Sequence, residues 1–181
     1  MTAANLITLS RFILALFFVV LILLADPVNE SIRLICLGLF LAASLTDALD
    51  GFVARKTGAK TMLGTILDPI ADKILLLSAF LAFAFVDTLP LYLRAPKIVA
   101  IAVLCRDMLI IGGCIFIYRI NKKIHITPSP IGKITTFLQT TVILLMLLKF
   151  SQMNTLLYCV AVVTVISGID YVYRGVNLLK T

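Results

Sequence analysis

The sequence predicts an all-α integral membrane protein built as a bundle of six transmembrane helices. Of its 181 residues, 61% are hydrophobic and only 14% are charged, and the mean hydropathy is +1.12. Soluble domains carry roughly 25% charged residues, so the composition excludes that class. Apolar runs near the roughly 20 residues of a spanning helix lie at about residues 6–25, 32–49, 64–86, 97–118, 134–150 and 155–173.

These six runs are predicted to be helices because they lack the alternation of a barrel strand, and lipid requires a backbone whose hydrogen bonds are satisfied internally. The first run is longer than a usual signal core. Leu23, Ala25 and Asp26 also make a poor cleavage site, so we predict that it is the first span. No long linker interrupts the chain, and we expect a single catalytic domain over residues 1–181.

The basic residues predict the orientation of the bundle. The formal net charge is +7, but in a membrane protein the positions of the cations matter more than their sum, and we expect no nucleic-acid partner. Most cations fall on one side of the membrane, which the positive-inside rule makes cytoplasmic. These are Arg11, Arg55, Lys56, Lys60, Arg119, Lys122, Lys123, Lys133, Arg174 and Lys180, against Arg33, Arg94, Lys97 and Lys149 on the other side. We therefore expect both termini to face the cytoplasm, with the basic residues of the loops contacting either anionic membrane lipids or the substrate.

Two pairs of aspartates at the cytoplasmic ends of spans 2 and 3 are the strongest functional signal. Asp47 and Asp50 are three residues apart, and Asp68 and Asp72 are four apart, so each pair shares one face of a helix. Carboxylates at membrane depth are costly without a cation or a catalytic duty. Four that converge would repel one another, and their hard oxygen atoms suit Mg²⁺, Mn²⁺ or Ca²⁺. The sequence predicts one or two divalent ions here.

Small residues and an arginine accompany the acids. Gly51 and Gly64 leave room for a ligand, or alternatively for a closely packed helix, and Arg55 beside Ala54 can hold a phosphate in a bidentate fork. Together with the aspartates, these residues suit a complex of pyrophosphate and metal. The four cysteines lie apart and the single histidine, His125, stands in a polar loop, so we expect neither a disulfide nor a zinc site.

The spacing of these residues resembles the signature of the CDP-alcohol phosphotransferases, integral membrane enzymes of phospholipid synthesis. The resemblance extends to Gly132 and Lys133 before span 5, and so covers nearly the whole chain. The matching signature positions are Asp47, Asp50, Gly51, Ala54, Arg55, Gly64, Asp68 and Asp72.

The resemblance implies a role for each of these positions. Asp47, Asp50, Asp68 and Asp72 would hold two ions, Mg²⁺ or Mn²⁺, and Asp72 would also be the general base. Asp50, Gly51, Ala54, Arg55 and Gly64 would bind the cytidine diphosphate. The implied reaction is attack of an acceptor hydroxyl on the β-phosphorus of CDP-diacylglycerol with release of CMP, at the inner (cytoplasmic) membrane of a bacterium.

The acceptor alcohol is less defined. Arg106 and Asp107 in span 4 are either a structural ion pair or part of the acceptor site, and Lys133 is placed to meet an acceptor phosphate. Members of the resembled family that use glycerol 3-phosphate typically have Arg-Glu in span 4, a further arginine where this chain has Cys114, and a lysine where it has Thr135. An Arg-Asp pair is similar to the cardiolipin synthases, whose acceptor is phosphatidylglycerol. Both glycerol-type acceptors stay open, and inositol phosphate or serine is less favoured.

A cation-coupled transporter is the competing class, because intramembrane aspartates also bind Na⁺ or relay protons. A transporter would place them near the bilayer midplane and show a repeat between its halves. Here the acids cluster at one boundary beside Arg55, which favours the enzyme. Members of the resembled family are commonly homodimers, so we expect a homodimer.

Overall fold

The computed structural model is helical throughout the elements that it describes. It describes the backbone of residues 3–24, 30–57, 62–121, 129–150 and 153–180, and the side chains of residues 13–24, 30–46, 73–113, 116, 129–150 and 153–177. The helices are α1 (Ala3–Leu23), α2 (Glu30–Thr57), α3 (Met62–Phe85), α4 (Lys97–Asn121), α5 (Pro130–Leu147) and α6 (Met153–Lys180), with a short 3-10 helix at Leu91–Leu93. The predicted all-α class is confirmed, and each α-helix coincides with one apolar run.

Several helices extend beyond the apolar runs that predicted them. α2 continues from the predicted end at residue 49 to Thr57, and α6 continues from 173 to Lys180. Hydropathy marks only the part of a helix that suits lipid, whereas backbone hydrogen bonding proceeds through polar residues as well. The segment between α2 and α3 is therefore residues 58–61, shorter than the roughly thirteen residues predicted from the runs.

The end of α5 depends on backbone geometry that hydropathy does not report. Lys149 has a φ of 59°, the left-handed conformation that commonly terminates a helix. The Lys149 N–H donates to the Met146 carbonyl and the Phe150 N–H to the Leu145 carbonyl, each at 3.0 Å. This pair of bonds is the Schellman motif. α5 therefore ends at Leu147, three residues before the apolar run does.

Within the described residues, two helical segments are long and apolar enough to cross a membrane, Pro130–Leu147 and Met153–Asn177. Shorter apolar stretches lie at Ile13–Leu23 and Lys73–Phe85. The six-span bundle therefore stays a prediction.

The chain forms two compact units. The N-terminal unit is Met1–Arg94 with Ile143–Ser151, and the C-terminal unit is Ala95–Val142 with Gln152–Thr181. In the N-terminal unit, α1 packs against both α2 and α3. The buried Phe18 ring of α1 lies 5.9 Å from the Phe40 ring and 6.4 Å from the Phe83 ring, between centroids. These aromatic contacts join all three helices.

A cluster of charged residues ties the start of α2 to the end of α5 within the N-terminal unit. The Lys149 ammonium donates to the Glu30 carboxylate and lies 5.2 Å from the centroid of the Tyr92 ring. Arg33 donates to the Leu147 carbonyl at the C-terminus of α5. The hydrogen bond from Lys149, followed by its charge, lowers the pKa of Glu30 from 4.5. These contacts place the side chain of Lys149 between the start of α2 and Tyr92.

In the C-terminal unit, α4 packs along α6. Arg106 donates to the Ser167 hydroxyl and Tyr171 to the Ile110 carbonyl, and both hydrogen bonds connect residues that are 61 positions apart. A constant offset means that α4 and α6 run parallel in a fixed register. α5 contacts α6 through a buried hydrogen bond, in which Gln139 Nε2 donates to the Thr164 hydroxyl at 3.1 Å.

Candidate active site

The four aspartates lie on the helices that the sequence predicts for them. Asp47 and Asp50 belong to the C-terminal part of α2, and Asp68 and Asp72 to the N-terminal half of α3. Their side chains lie outside the described residues, and so do those of Gly51, Ala54, Arg55 and Gly64. Convergence of the four carboxylates therefore stays a prediction. Among the side chains that the structure does describe, no group of three or more His, Cys, Asp or Glu forms a metal-binding cluster.

The helix bounds set the aspartates at matching distances from the connection between α2 and α3. At a rise of 1.5 Å per residue, Asp47 and Asp72 each lie about 15 Å along their helix from the connection. Asp50 and Asp68 lie about 9 to 11 Å from it. Only residues 58–61 separate the two helices, so an antiparallel course of α2 and α3 would place each acid of one helix level with an acid of the other.

Arg106 and Asp107 form a buried ion pair in the middle of α4. The Arg106 Nη1 donates to Asp107 Oδ1 at 2.7 Å, and the two residues are 5% and 1% exposed. The second terminal nitrogen, Nη2, contacts the Ser167 hydroxyl of α6 at 3.4 Å, a long hydrogen bond. The buried Arg106 Nε has no hydrogen-bond partner among the described residues. A buried donor without a partner is costly, so this guanidinium suits a further acceptor.

The N-terminus of α5 lies directly against this guanidinium. A Cβ atom added to Gly132 would stand 3.4 Å from Arg106 Nη2 and 3.2 Å from Ser129 Oγ, so glycine allows the close approach. Ser129 caps the helix, since its hydroxyl accepts the Gly132 N–H at 2.9 Å and Pro130 occupies the first helical position. Lys133 follows Gly132, and its side chain is exposed.

The structure therefore places the Arg106–Asp107 pair beside Gly132, the residue that precedes Lys133. A guanidinium beside a helix N-terminus joins two centres of positive potential. Such an arrangement favours an anion.

The sequence did not identify Ser167 and Gly168 as part of this cluster. Both are buried on α6, and a Cβ atom at Gly168 would lie 3.7 Å from Arg106 Cγ. The only signal in the sequence is a pair of small residues within an apolar helix, which also fits ordinary helix contacts. Thr135 stands at the position where family members that use glycerol 3-phosphate have a lysine. It is buried and donates its hydroxyl to the Ile131 carbonyl at 2.8 Å.

Comparison with known proteins supports the resemblance seen in the sequence. The profile of the CDP-alcohol phosphatidyltransferase family matches residues 1–167. The chain is 34% identical to the CDP-diacylglycerol--glycerol-3-phosphate 3-phosphatidyltransferase of Aquifex aeolicus, over 99% of this chain and 98% of that protein. It is 29% identical to the Bacillus subtilis protein of the same name, over 98% and 96%. The cardiolipin synthase (CMP-forming) of Rattus norvegicus is 32% identical over 55% of this chain and 30% of its own length.

Proposed function

The chain belongs to the CDP-alcohol phosphatidyltransferase family, and we propose that it transfers the phosphatidyl group of CDP-diacylglycerol to a glycerol-type acceptor with release of CMP. The match over residues 1–167, which include every position of the acidic signature, carries this proposal. The names of the full-length relatives identify them as transferases of this kind, which favours an enzyme over the cation-coupled transporter.

The donor set fits divalent metal. Asp47, Asp50, Asp68 and Asp72 supply only carboxylate oxygen atoms, the ligands that Mg²⁺ and Mn²⁺ prefer. The matching distances of these residues from the α2–α3 connection support their meeting around two such ions. When bound, the ions would neutralise charge on the pyrophosphate of the donor.

Residues of the same segment bind the nucleotide and move the proton in this proposal. Arg55, in the last turns of α2, would pair with a phosphate, while the small residues beside it leave room for the cytidine diphosphate. These binding residues are Asp50, Gly51, Ala54, Arg55 and Gly64. Asp72 would accept the proton of the acceptor hydroxyl. The oxygen then forms a bond to the β-phosphorus as the bond from that phosphorus to the CMP oxygen breaks.

The acceptor side is proposed to bind a phosphate with Arg106 and Lys133. The unpartnered Arg106 Nε and the nearby N-terminus of α5 support this role. Asp107 would hold the guanidinium in place through the 2.7 Å bond. Because relatives named for glycerol 3-phosphate match this chain along nearly its whole length, we propose glycerol 3-phosphate as the acceptor.

Phosphatidylglycerol is the second candidate acceptor. Asp107 offsets part of the positive charge of Arg106, and a buried threonine occupies position 135. Both features lower the positive potential that a dianionic phosphomonoester needs, whereas the phosphodiester of phosphatidylglycerol carries one charge.

We propose a single catalytic domain of six transmembrane helices in a bacterial inner membrane, with both termini and the active site in the cytoplasm and a homodimer as the assembly. Two helices of sufficient length and apolarity support the membrane location. A lipid donor can keep its acyl chains in the bilayer while its nucleotide reaches the aspartates at the cytoplasmic boundary.

The acceptor assay tests the proposed function. Purified protein in lipid nanodiscs receives CDP-diacylglycerol, Mg²⁺ and one acceptor: glycerol 3-phosphate, phosphatidylglycerol, inositol phosphate or serine. CMP and the lipid product are quantified by mass spectrometry. We expect phosphatidylglycerophosphate and an equal amount of CMP with glycerol 3-phosphate. Cardiolipin as the main product would identify phosphatidylglycerol as the acceptor in place of glycerol 3-phosphate. No release of CMP with any of the four acceptors would refute the proposed function.

A further inference from the structure

Three residues on one face of α6 contact α4. Ser167 meets Arg106 Nη2, Gly168 lies on the aliphatic part of Arg106, and the Tyr171 hydroxyl donates to the Ile110 carbonyl at 3.1 Å. Ser167 and Tyr171 are four residues apart, as are their partners Arg106 and Ile110. The Tyr171 contact and the Arg106 contact therefore belong to successive turns of the same helix pair in the same register.

Tyr171 meets the backbone of α4 at two residues, Ile110 and Gly113. A Cβ atom at Gly113 would stand 2.9 Å from Cε1 of the Tyr171 ring and 3.4 Å from its hydroxyl oxygen. At the neighbouring Gly112, an added Cβ atom would meet nothing within 4 Å. Of these two adjacent glycines, only Gly113 receives the ring.

A side chain anchored to backbone atoms restricts how far one helix can slide along another. A shift of α6 by one residue moves it about 1.5 Å along its axis. That displacement would lengthen the 3.1 Å hydrogen bond to the Ile110 carbonyl to about 3.4 Å or more, which weakens it, and would shift the Tyr171 ring relative to Gly113. By contrast, the 3.4 Å contact between Ser167 and Arg106 is long and holds the helices weakly.

The guanidinium of Arg106 contacts α6 in this register, through the hydroxyl of Ser167. This guanidinium lies between Asp107, Ser167 and the position of Gly132, so a displacement of α6 changes one wall of the cluster. We propose that Tyr171 is a positioning residue, which fixes the register of α6 on α4 and thereby aims the Arg106 guanidinium at the phosphate of the acceptor. This inference rests on the proposed function, in which Arg106 binds the acceptor.

Matched variants on the same helices test the proposal. Tyr171→Phe removes only the hydroxyl, and Tyr173→Phe, at a side chain that is 68% exposed on α6, is its control. Gly113→Ala displaces the ring, and Gly112→Ala is its control. Kinetics in nanodiscs give kcat and the KM of each substrate, with whichever of glycerol 3-phosphate and phosphatidylglycerol supports CMP release by the unaltered protein.

We expect Tyr171→Phe to raise the KM of the acceptor measurably but by no more than about 12-fold, because the free energy of the one lost hydrogen bond limits the effect. The KM of CDP-diacylglycerol and the kcat should stay unchanged, and both controls should behave as the unaltered protein does. Gly113→Ala should act in the same direction. Should that variant fail to fold, Tyr171→Phe carries the test.

Repeating Tyr171→Phe in a protein that also carries Arg106→Lys distinguishes a positioning role from general structural damage. In Arg106→Lys, the effect of Tyr171→Phe on the acceptor KM should disappear, because Tyr171 acts through the guanidinium. An unchanged acceptor KM in Tyr171→Phe, an equal rise for both substrates, or an undiminished effect in Arg106→Lys would overturn the proposal while leaving the proposed function intact. Absence of CMP release by the unaltered protein would overturn the proposed function itself and this inference with it.

Discussion

Removing the charge of Arg106 separates the two roles that its ion pair with Asp107 can have. Arg106→Met deletes the guanidinium and leaves the Asp107 carboxylate, which is 1% exposed, without that partner. Breaking a buried ion pair in this way costs about 3 to 5 kcal/mol. Arg106→Met/Asp107→Leu removes both charges and is expected to recover most of the loss, because replacing a buried pair by apolar residues is often close to neutral.

Unfolding in mixed micelles, titrated with a denaturing detergent, measures these stabilities. The acceptor KM of the stable double variant then reports the binding role alone. Loss of charge-assisted contacts to a phosphate, about 1.5 to 3 kcal/mol, predicts a rise of about 10- to 150-fold. A double variant as unstable as Arg106→Met would contradict the buried-pair argument. A double variant with an unchanged acceptor KM would show that the pair is structural only.

The remaining predictions concern stability. Glu30→Gln should unfold more easily than the unaltered protein at neutral pH, because the lowered pKa of Glu30 means that its bond to Lys149 stabilises the fold above pH 4.5. The difference should vanish in melting experiments well below that pH, and a constant difference would contradict this. Phe18→Ala should lower the free energy of unfolding, measured by detergent titration, by about 3 kcal/mol. In lipid this loss comes mainly from missing packing contacts and not from the hydrophobic effect. Phe17→Ala, at a 58% exposed neighbour, should lose little, and equal losses would refute the aromatic core. Gln139→Leu removes the buried hydrogen bond to Thr164 of α6 and should lower the free energy of unfolding by about 0.6 to 2 kcal/mol. An unchanged stability would show that this bond does not stabilise the fold.

Hydropathy predicted the places of the helices that the structure describes, because each apolar run is a local property of the chain. It did not predict where the helices end, because backbone hydrogen bonding and backbone conformation determine their last residues. α5 stops early because Lys149 adopts a left-handed conformation, and the side chain of this residue contacts Glu30 and Tyr92. Such contacts join residues far apart in the sequence and leave no periodic pattern.

In the candidate site, too, the sequence predicted individual residues but not the residues that surround them. The aspartates were found from spacing, and their helices are confirmed, while the convergence of their side chains stays a prediction. Arg106 was found as a charge in an apolar run, but its surroundings were not. Gly132 and Ser167 reach it from other helices, and only tertiary structure distinguishes Gly113, which receives Tyr171, from Gly112.

Release of CMP with and without metal tests the central claim most directly, namely that four aspartates of α2 and α3 hold divalent ions and that Asp72 takes the proton. We expect Mg²⁺ or Mn²⁺ to support release, a chelator to abolish it, and Asp72→Asn to lower it by about 100-fold or more. Asp87→Asn, at an exposed loop aspartate, should retain full activity. Release of CMP that persists both in chelator and in Asp72→Asn would contradict the account.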